Sequence, residues 1–161
     1  MREGLKVCSG RCEVALADLA ATARLAAALA RLARVRDVLA LSGPLGVGKT
    51  ELARAFIRAL GGSEEVPSPT FTLVQLYELA PFRLYHFDLY RLAKPEDAYE
   101  LGIEEAFAEG VSLIEWPERL GALLPRERLD LALDYAERPE ARRCRLAGHR
   151  SWTGRLAELA P

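Results

Sequence analysis

Gly43-Pro44-Leu45-Gly46-Val47-Gly48-Lys49-Thr50 spells G-x-x-x-x-G-K-T, directly after the apolar run Val38-Leu39-Ala40-Leu41. Strand, glycine-rich turn, then helix is the context in which this pattern makes a phosphate-binding loop. Glycines at 43, 46 and 48 permit a tight turn and bring backbone N–H groups of the 45–50 segment, Leu45 and Val47 included, close to an anion. Glu51 to Leu60, closed by Gly61-Gly62, supplies the helix, whose dipole is directed at the same anion. Lys49 then offers a point charge to the β- and γ-phosphates, and Thr50 a hydroxyl to Mg²⁺. The expected ligand is a nucleoside triphosphate. A plain glycine turn is the simpler alternative, and the flanking strand and helix argue against it.

Outward from the loop, the remaining sequence reads as α/β. Cys12 to Leu16 is a short strand, followed by an alanine-rich helix capped by Asp18 or Thr22, with Leu25, Leu29 and Leu32 on one face. Asp37 to Leu41 is the buried strand before the loop, and residues 49–60 form the next helix, with Leu52, Phe56, Ile57 and Leu60 inward. After a proline-punctuated stretch, Phe71 to Leu79 and Phe82 to Leu89 read as an added hairpin turning at Ala80-Pro81. Glu96 to Ala108 is helical with a break at Gly102, and Val111 to Ile114 is another buried strand. Leu129 to Tyr135 and Cys144 to Ala147 read as late edge strands. The predicted architecture is a three-layer P-loop NTPase fold, its sheet mostly parallel with an antiparallel hairpin and edge strands.

The 161 residues fit one domain, 1–161, with 1–10 and 150–161 expected as flexible or peripheral tails. No apolar stretch approaches the roughly 20 residues that span a bilayer, and no signal-peptide core follows Met1 to Lys6, so a cytosolic protein with no membrane partner is expected. A net charge of −1 argues against a broad electrostatic grip on nucleic acid and leaves local contacts, for which Arg91, Arg126 and Arg128 are available. Cys8, Cys12 and Cys144 leave one thiol over in any disulfide scheme and lack the further ligands of a zinc site.

A phosphate loop alone binds; hydrolysis also needs carboxylates that orient a metal and a segment that senses the γ-phosphate. Tyr85-His86-Phe87-Asp88 is an apolar strand ending in an acid, the way a Walker-B carboxylate is presented, so Asp88 is a metal candidate. His86, two residues earlier on the same strand face, reads as a packed, hydrogen-bonded histidine without a catalytic role. Ile114-Glu115-Trp116-Pro117 delivers a carboxylate and an indole to the sheet edge where α/β folds bind ligands. Glu115 is thus a candidate for the metal shell or for polarising water, and Trp116 for covering the nucleotide or meeting a partner; a capping acid and a core tryptophan are the plain readings. Ser68-Pro69-Thr70-Phe71 is a stiff hydroxyl-bearing loop after the phosphate-loop helix, and Thr70 is a candidate γ-phosphate sensor or a mere turn hydroxyl.

The ordered set of blocks resembles the TsaE (YjeE) family, bacterial P-loop ATPases of tRNA N6-threonylcarbamoyladenosine formation. It comprises Thr22-Ala23-Arg24-Leu25-Ala26, Leu41 to Thr50, Val66 to Val74, His86-Phe87-Asp88-Leu89-Tyr90-Arg91-Leu92, Leu101 to Glu105 and Leu113 to Glu118. The S-P-T-F, H-F-D-L-Y-R and I-E-W-P blocks are far more specific than the loop itself. The resemblance implies an Mg²⁺-dependent ATPase acting with TsaB and TsaD to keep the modification machinery cycling, with tRNA engaged indirectly or through local contacts. It implies Lys49 and the loop amides for phosphates, Thr50, Glu115 and Asp88 for the metal shell, and Thr70 in a switch-like loop. It further places Thr22 near the nucleotide base and Glu118 and Arg142 near the nucleotide. The family's loop usually reads G-D-L-G-A-G-K-T, so Pro44 and Val47 are departures, and Arg36-Asp37 stands where Gly-Asp is usual.

Three functions compete on these residues: the tRNA-modification ATPase, a small-molecule kinase of the shikimate or adenylate kinase type, and a non-hydrolysing scaffold that ATP merely orders. The kinase needs an acceptor pocket with a base and charged clamps, for which no distinct constellation is present; Arg138 to Arg143 only mimics an anion-sensing lid. A guanine-reading N-K-x-D motif is excluded because the chain contains no asparagine.

Overall fold

The computed structural model describes residues 10–62 and 72–159. Its centre is a seven-stranded sheet in the order β1-β7-β6-β2-β5-β4-β3. The strands are β1 (Arg11–Leu16), β2 (Val38–Ser42), β3 (Val74–Leu79), β4 (Phe82–Asp88), β5 (Gly110–Glu115), β6 (Leu129–Tyr135) and β7 (Arg142–Gly148). The central four, β6-β2-β5-β4, run parallel, and antiparallel strands extend the sheet on both sides. The expected hairpin is β3–β4, turning at a cis Ala80–Pro81 peptide.

The late strands were expected at an edge, and this is corrected: β6 lies beside β2 and β7 lies between β6 and β1, so the edges are β1 and β3. Alternation of Leu129, Leu131 and Leu133 reports one buried face, which an interior strand shows as readily as an edge strand when only one face is covered by helices.

Helices cover the sheet on both faces. On one side, α1 (Leu19–Leu32) and α2 (Lys49–Ala59) press Leu25, Leu29, Leu52, Phe56 and Ile57 onto Leu39, Leu41, Leu113 and Leu131. The other face of β2, β4 and β5 carries Val38, Tyr85, Phe87 and Ile114, packed against Ala98, Ile103, Ala106 and Leu120 from α3 (Ile103–Glu109) and two 3-10 turns. Burial of side chains this size contributes roughly 1.5–3 kcal/mol each before conformational entropy is subtracted. Of the two candidate caps, Asp18 is the N-cap, accepting from Ala21 N at 2.9 Å; Thr22 is buried within the helix. Gly102 breaks the 95–109 segment with a left-handed φ of 79°, and Arg36 adopts a left-handed φ of 78° in the turn before β2.

Residues 151–159 are not a peripheral tail. In α4 (Ser151–Arg155), Trp152 is fully buried and Arg155 sends Nη1 and Nη2 to the Asp37 carboxylate at 2.7 and 2.6 Å. Arg155 also stacks on Trp152 and donates to Leu32 O, which fastens the C-terminal helix to the turn between α1 and β2. No helix among the described residues is long and apolar enough to cross a membrane.

Candidate functional site

The parallel strands β2, β4 and β5 end together, and the sheet register brings Leu41, Glu115 and Asp88 side by side at that edge. The phosphate-loop sequence leaves β2 there and enters α2 through Gly48, which has φ 117°. Gly43 is fixed by space as well as by its φ of 141°, since a Cβ would lie 2.5 Å from Leu133 O. A side chain cannot replace that hydrogen without moving β6 or the loop.

Lys49 is almost fully buried at the start of α2. Its Nζ donates to Gly43 O at 2.5 Å and Pro44 O at 3.1 Å, and lies 4.0 Å from the centroid of the Trp116 ring. Burial pushes the Lys49 ammonium below its ordinary pKa, opposed by the negative charges of Glu115, Glu118 and Asp88. The partners of this desolvated cation are neutral carbonyls and an aromatic face, which leaves its charge uncompensated by direct contact with any carboxylate.

Below Lys49, Thr50 Oγ1 donates to Glu115 Oε1 at 2.7 Å, while His86 Nε2 stands 2.8 Å from Glu115 Oε2. Glu115 is 2% exposed and His86 0%, so each carboxylate oxygen has a named partner in a setting closed to bulk water. Asp88, also buried, accepts from Tyr90 N at 3.2 Å. A hydroxyl and two carboxylates converging beside a phosphate loop form an oxygen donor set suited to a hard divalent cation. No group of three or more His, Cys, Asp or Glu able to hold a metal occurs among the described residues. With two carboxylates and a hydroxyl, Thr50, Glu115 and Asp88 could hold only a cation that keeps waters and substrate phosphates as its other ligands, as Mg²⁺ does.

Trp116 has a left-handed backbone (φ 59°, ψ 51°), a conformation that costs a non-glycine residue roughly 1–2 kcal/mol. The turn lays the indole over Lys49 and against Tyr90, whose ring centroid is 5.0 Å away. Across the loop, Thr22 and Arg142 line one cleft of about 120 Å³ together with Gly46, Val47, Gly48 and Glu140. Thr22 and Arg142, 120 residues apart in sequence, therefore meet at the same loop. Leu45, at the loop's tip, is 68% exposed. Glu118 is exposed and acts on Lys49 through charge. Thr70 and the rest of the Ser68–Phe71 segment lie outside the described residues.

The sequence assigns no role in the site to two contributors. His86 is packed and hydrogen-bonded as expected, but its partner is Glu115, the acid of the site. The available signal was parity: His86 and Asp88 share a face of β4, and Asp88 pairs with Glu115, making His86 a diagonal neighbour of that acid. Tyr135, at the end of β6, reaches the loop backbone, with no motif to announce it.

Fold and loop together define a P-loop nucleotide-binding α/β protein. A family model described as "Threonylcarbamoyl adenosine biosynthesis protein TsaE" matches residues 16–144. Proteins named tRNA threonylcarbamoyladenosine biosynthesis protein TsaE are similar to the chain. The one from Rickettsia bellii is 42% identical over 70% of this chain and 78% of its own length. Its Bacillus subtilis counterpart is 39% identical over 71% and 72%. A crystal structure of Bacillus subtilis YdiB superposes with a TM-score of 0.78 at 30% identity, over 92% of this chain and 93% of that one. The chain belongs to the TsaE family of tRNA threonylcarbamoyladenosine biosynthesis proteins.

Proposed function

We propose that this TsaE-family protein is an Mg²⁺-dependent ATPase that works with TsaB and TsaD, cycling the complex that installs threonylcarbamoyl on tRNA adenosine. The observation that carries the reading is the Thr50–Glu115 hydrogen bond beside Lys49. By donating its proton to a buried carboxylate, Thr50 keeps its lone pairs available for the metal. The bound Mg²⁺ would neutralise charge on the β- and γ-phosphates.

This chain's residues divide the remaining work. The loop amides and Lys49 hold the phosphates. Thr50, Glu115 and Asp88 would hold the metal, with Glu115 or Asp88 also orienting the attacking water. Trp116 closes the site over Lys49 and excludes water, and Thr22, with Glu118 and Arg142 nearby, faces the rest of the nucleotide. Thr70 serves as the sensor of the γ-phosphate. His86 holds Glu115 so that the oxygen facing Thr50 stays in place. Membership of a tRNA-modification family leaves the small-molecule kinase without support, and the same pathway supports a cytosolic location.

Mixing the protein with TsaB, TsaD and ATP tests the proposal. Complex formation with stimulated phosphate release is the expected result; the absence of both overturns it. Tight ATP-dependent association without phosphate release would instead favour the scaffold reading.

A further inference from the structure

The rim of the phosphate loop is held from outside by two side chains. Tyr135, the last residue of β6, donates its hydroxyl to Leu45 O at 3.0 Å, and Arg142, the first of β7, donates Nε to Val47 O at 2.7 Å. Arg142 Cζ lies 4.7 Å from the centroid of the Tyr135 ring, so the two donors brace each other. Arg142 Nη1 also donates to Pro139 O at 2.6 Å and Ala141 O at 2.8 Å. The guanidinium therefore ties the loop to the turn between β6 and β7, with its Nε and Nη1 donors already spent on carbonyls.

Peptide geometry converts these ties into an orientation of the loop. The carbonyl of one residue and the N–H of the next belong to one planar trans unit and point in opposite directions. Drawing Leu45 O towards Tyr135 turns Gly46 N–H away from Tyr135, and drawing Val47 O towards Arg142 does the same for Gly48 N–H. Leu45 is mostly exposed, so packing does little to hold the tip of the loop. Gly46 and Gly48, both at positive φ, are the residues with the greatest freedom to lose that orientation.

We propose that Tyr135 and Arg142 are positioning residues that pre-organise the Gly46 and Gly48 amides for the phosphates before the nucleotide arrives. The inference rests on the nucleotide-binding reading and gives Arg142, beside the nucleotide in that reading, a direct hold on the loop backbone. Donors already aimed at the anion site lose less freedom on binding, and the gain appears as affinity.

The test compares Tyr135→Phe, Arg142→Lys and, on the facing wall of the cleft, Thr22→Val. Amide hydrogen exchange of the 43–49 segment is measured in nucleotide-free protein, with ATP Kd, KM and kcat measured separately. Loss of one neutral hydrogen bond corresponds to about a fivefold change, so Tyr135→Phe should raise loop exchange and ATP Kd by about that factor. Arg142→Lys, which cannot bond loop and turn in the same fork, should reach about tenfold. In both variants KM should rise and kcat stay within about twofold, while Thr22→Val leaves loop exchange unchanged. Exchange within twofold of wild type in both loop variants overturns the proposal, as does a fall in kcat at constant KM. If the wild type binds no ATP, the nucleotide reading fails, yet exchange in the free protein still decides whether the ties hold the loop.

Discussion

Gly43 and Gly48 open a comparison that separates two costs of placing a side chain in the phosphate loop. Both have positive φ, at 141° and 117°. A Cβ on Gly48 meets nothing within 4 Å, whereas a Cβ on Gly43 would lie 2.5 Å from Leu133 O and 3.0 Å from Val47 Cγ1. Gly48→Ala should therefore cost only the backbone term, roughly 1–2 kcal/mol. Gly43→Ala adds overpacking against a strand carbonyl, roughly 1–3 kcal/mol more, because β6 cannot recede without separating from β2. Urea unfolding should place Gly43→Ala about 2 kcal/mol below Gly48→Ala at unchanged m-value. Equal stabilities for the two variants would refute the steric account of Gly43 and the closeness of the loop to β6.

The buried Arg155–Asp37 pair should behave as a unit. Arg155→Ala should cost about 3–5 kcal/mol in denaturant unfolding because it strands a buried carboxylate, and Asp37→Ala should cost much less in that background than alone. Burial pushes the Cys144 thiol up to about 12, so at pH 8 it should resist alkylation in the native protein and react on unfolding, as read by peptide mapping.

What could be read from the sequence was local. The phosphate loop, its flanking strand and helix, and the acids at strand ends 88 and 115 are contiguous patterns whose chemistry is set by neighbours a few residues away. The order of strands is not local: Leu129 to Tyr135 shows the same alternation whether it lies at an edge or beside β2, and only pairing with Leu39 to Ser42 decides. Arg155 and Asp37 are 118 residues apart, and an arginine after an exposed-looking turn gives no sign that it will be buried against a carboxylate. The same holds for His86, whose partner lies 29 residues on, and for Tyr135, which reaches Leu45 across 90. Family resemblance pointed Thr22 and Arg142 to the phosphate loop, where one cleft holds both, but not to the carbonyls that occupy the Arg142 guanidinium.

ATP turnover with and without TsaB and TsaD, for wild type, Lys49→Ala and Glu115→Ala, tests the central claim most directly. Lys49→Ala removes the buried cation beside the loop, and Glu115→Ala removes the acceptor of the Thr50 hydroxyl. The account predicts partner-stimulated turnover in the wild type and none in either variant, with most nucleotide affinity lost only in Lys49→Ala. An active Glu115→Ala protein, or a wild type that never releases phosphate with its partners, would contradict it.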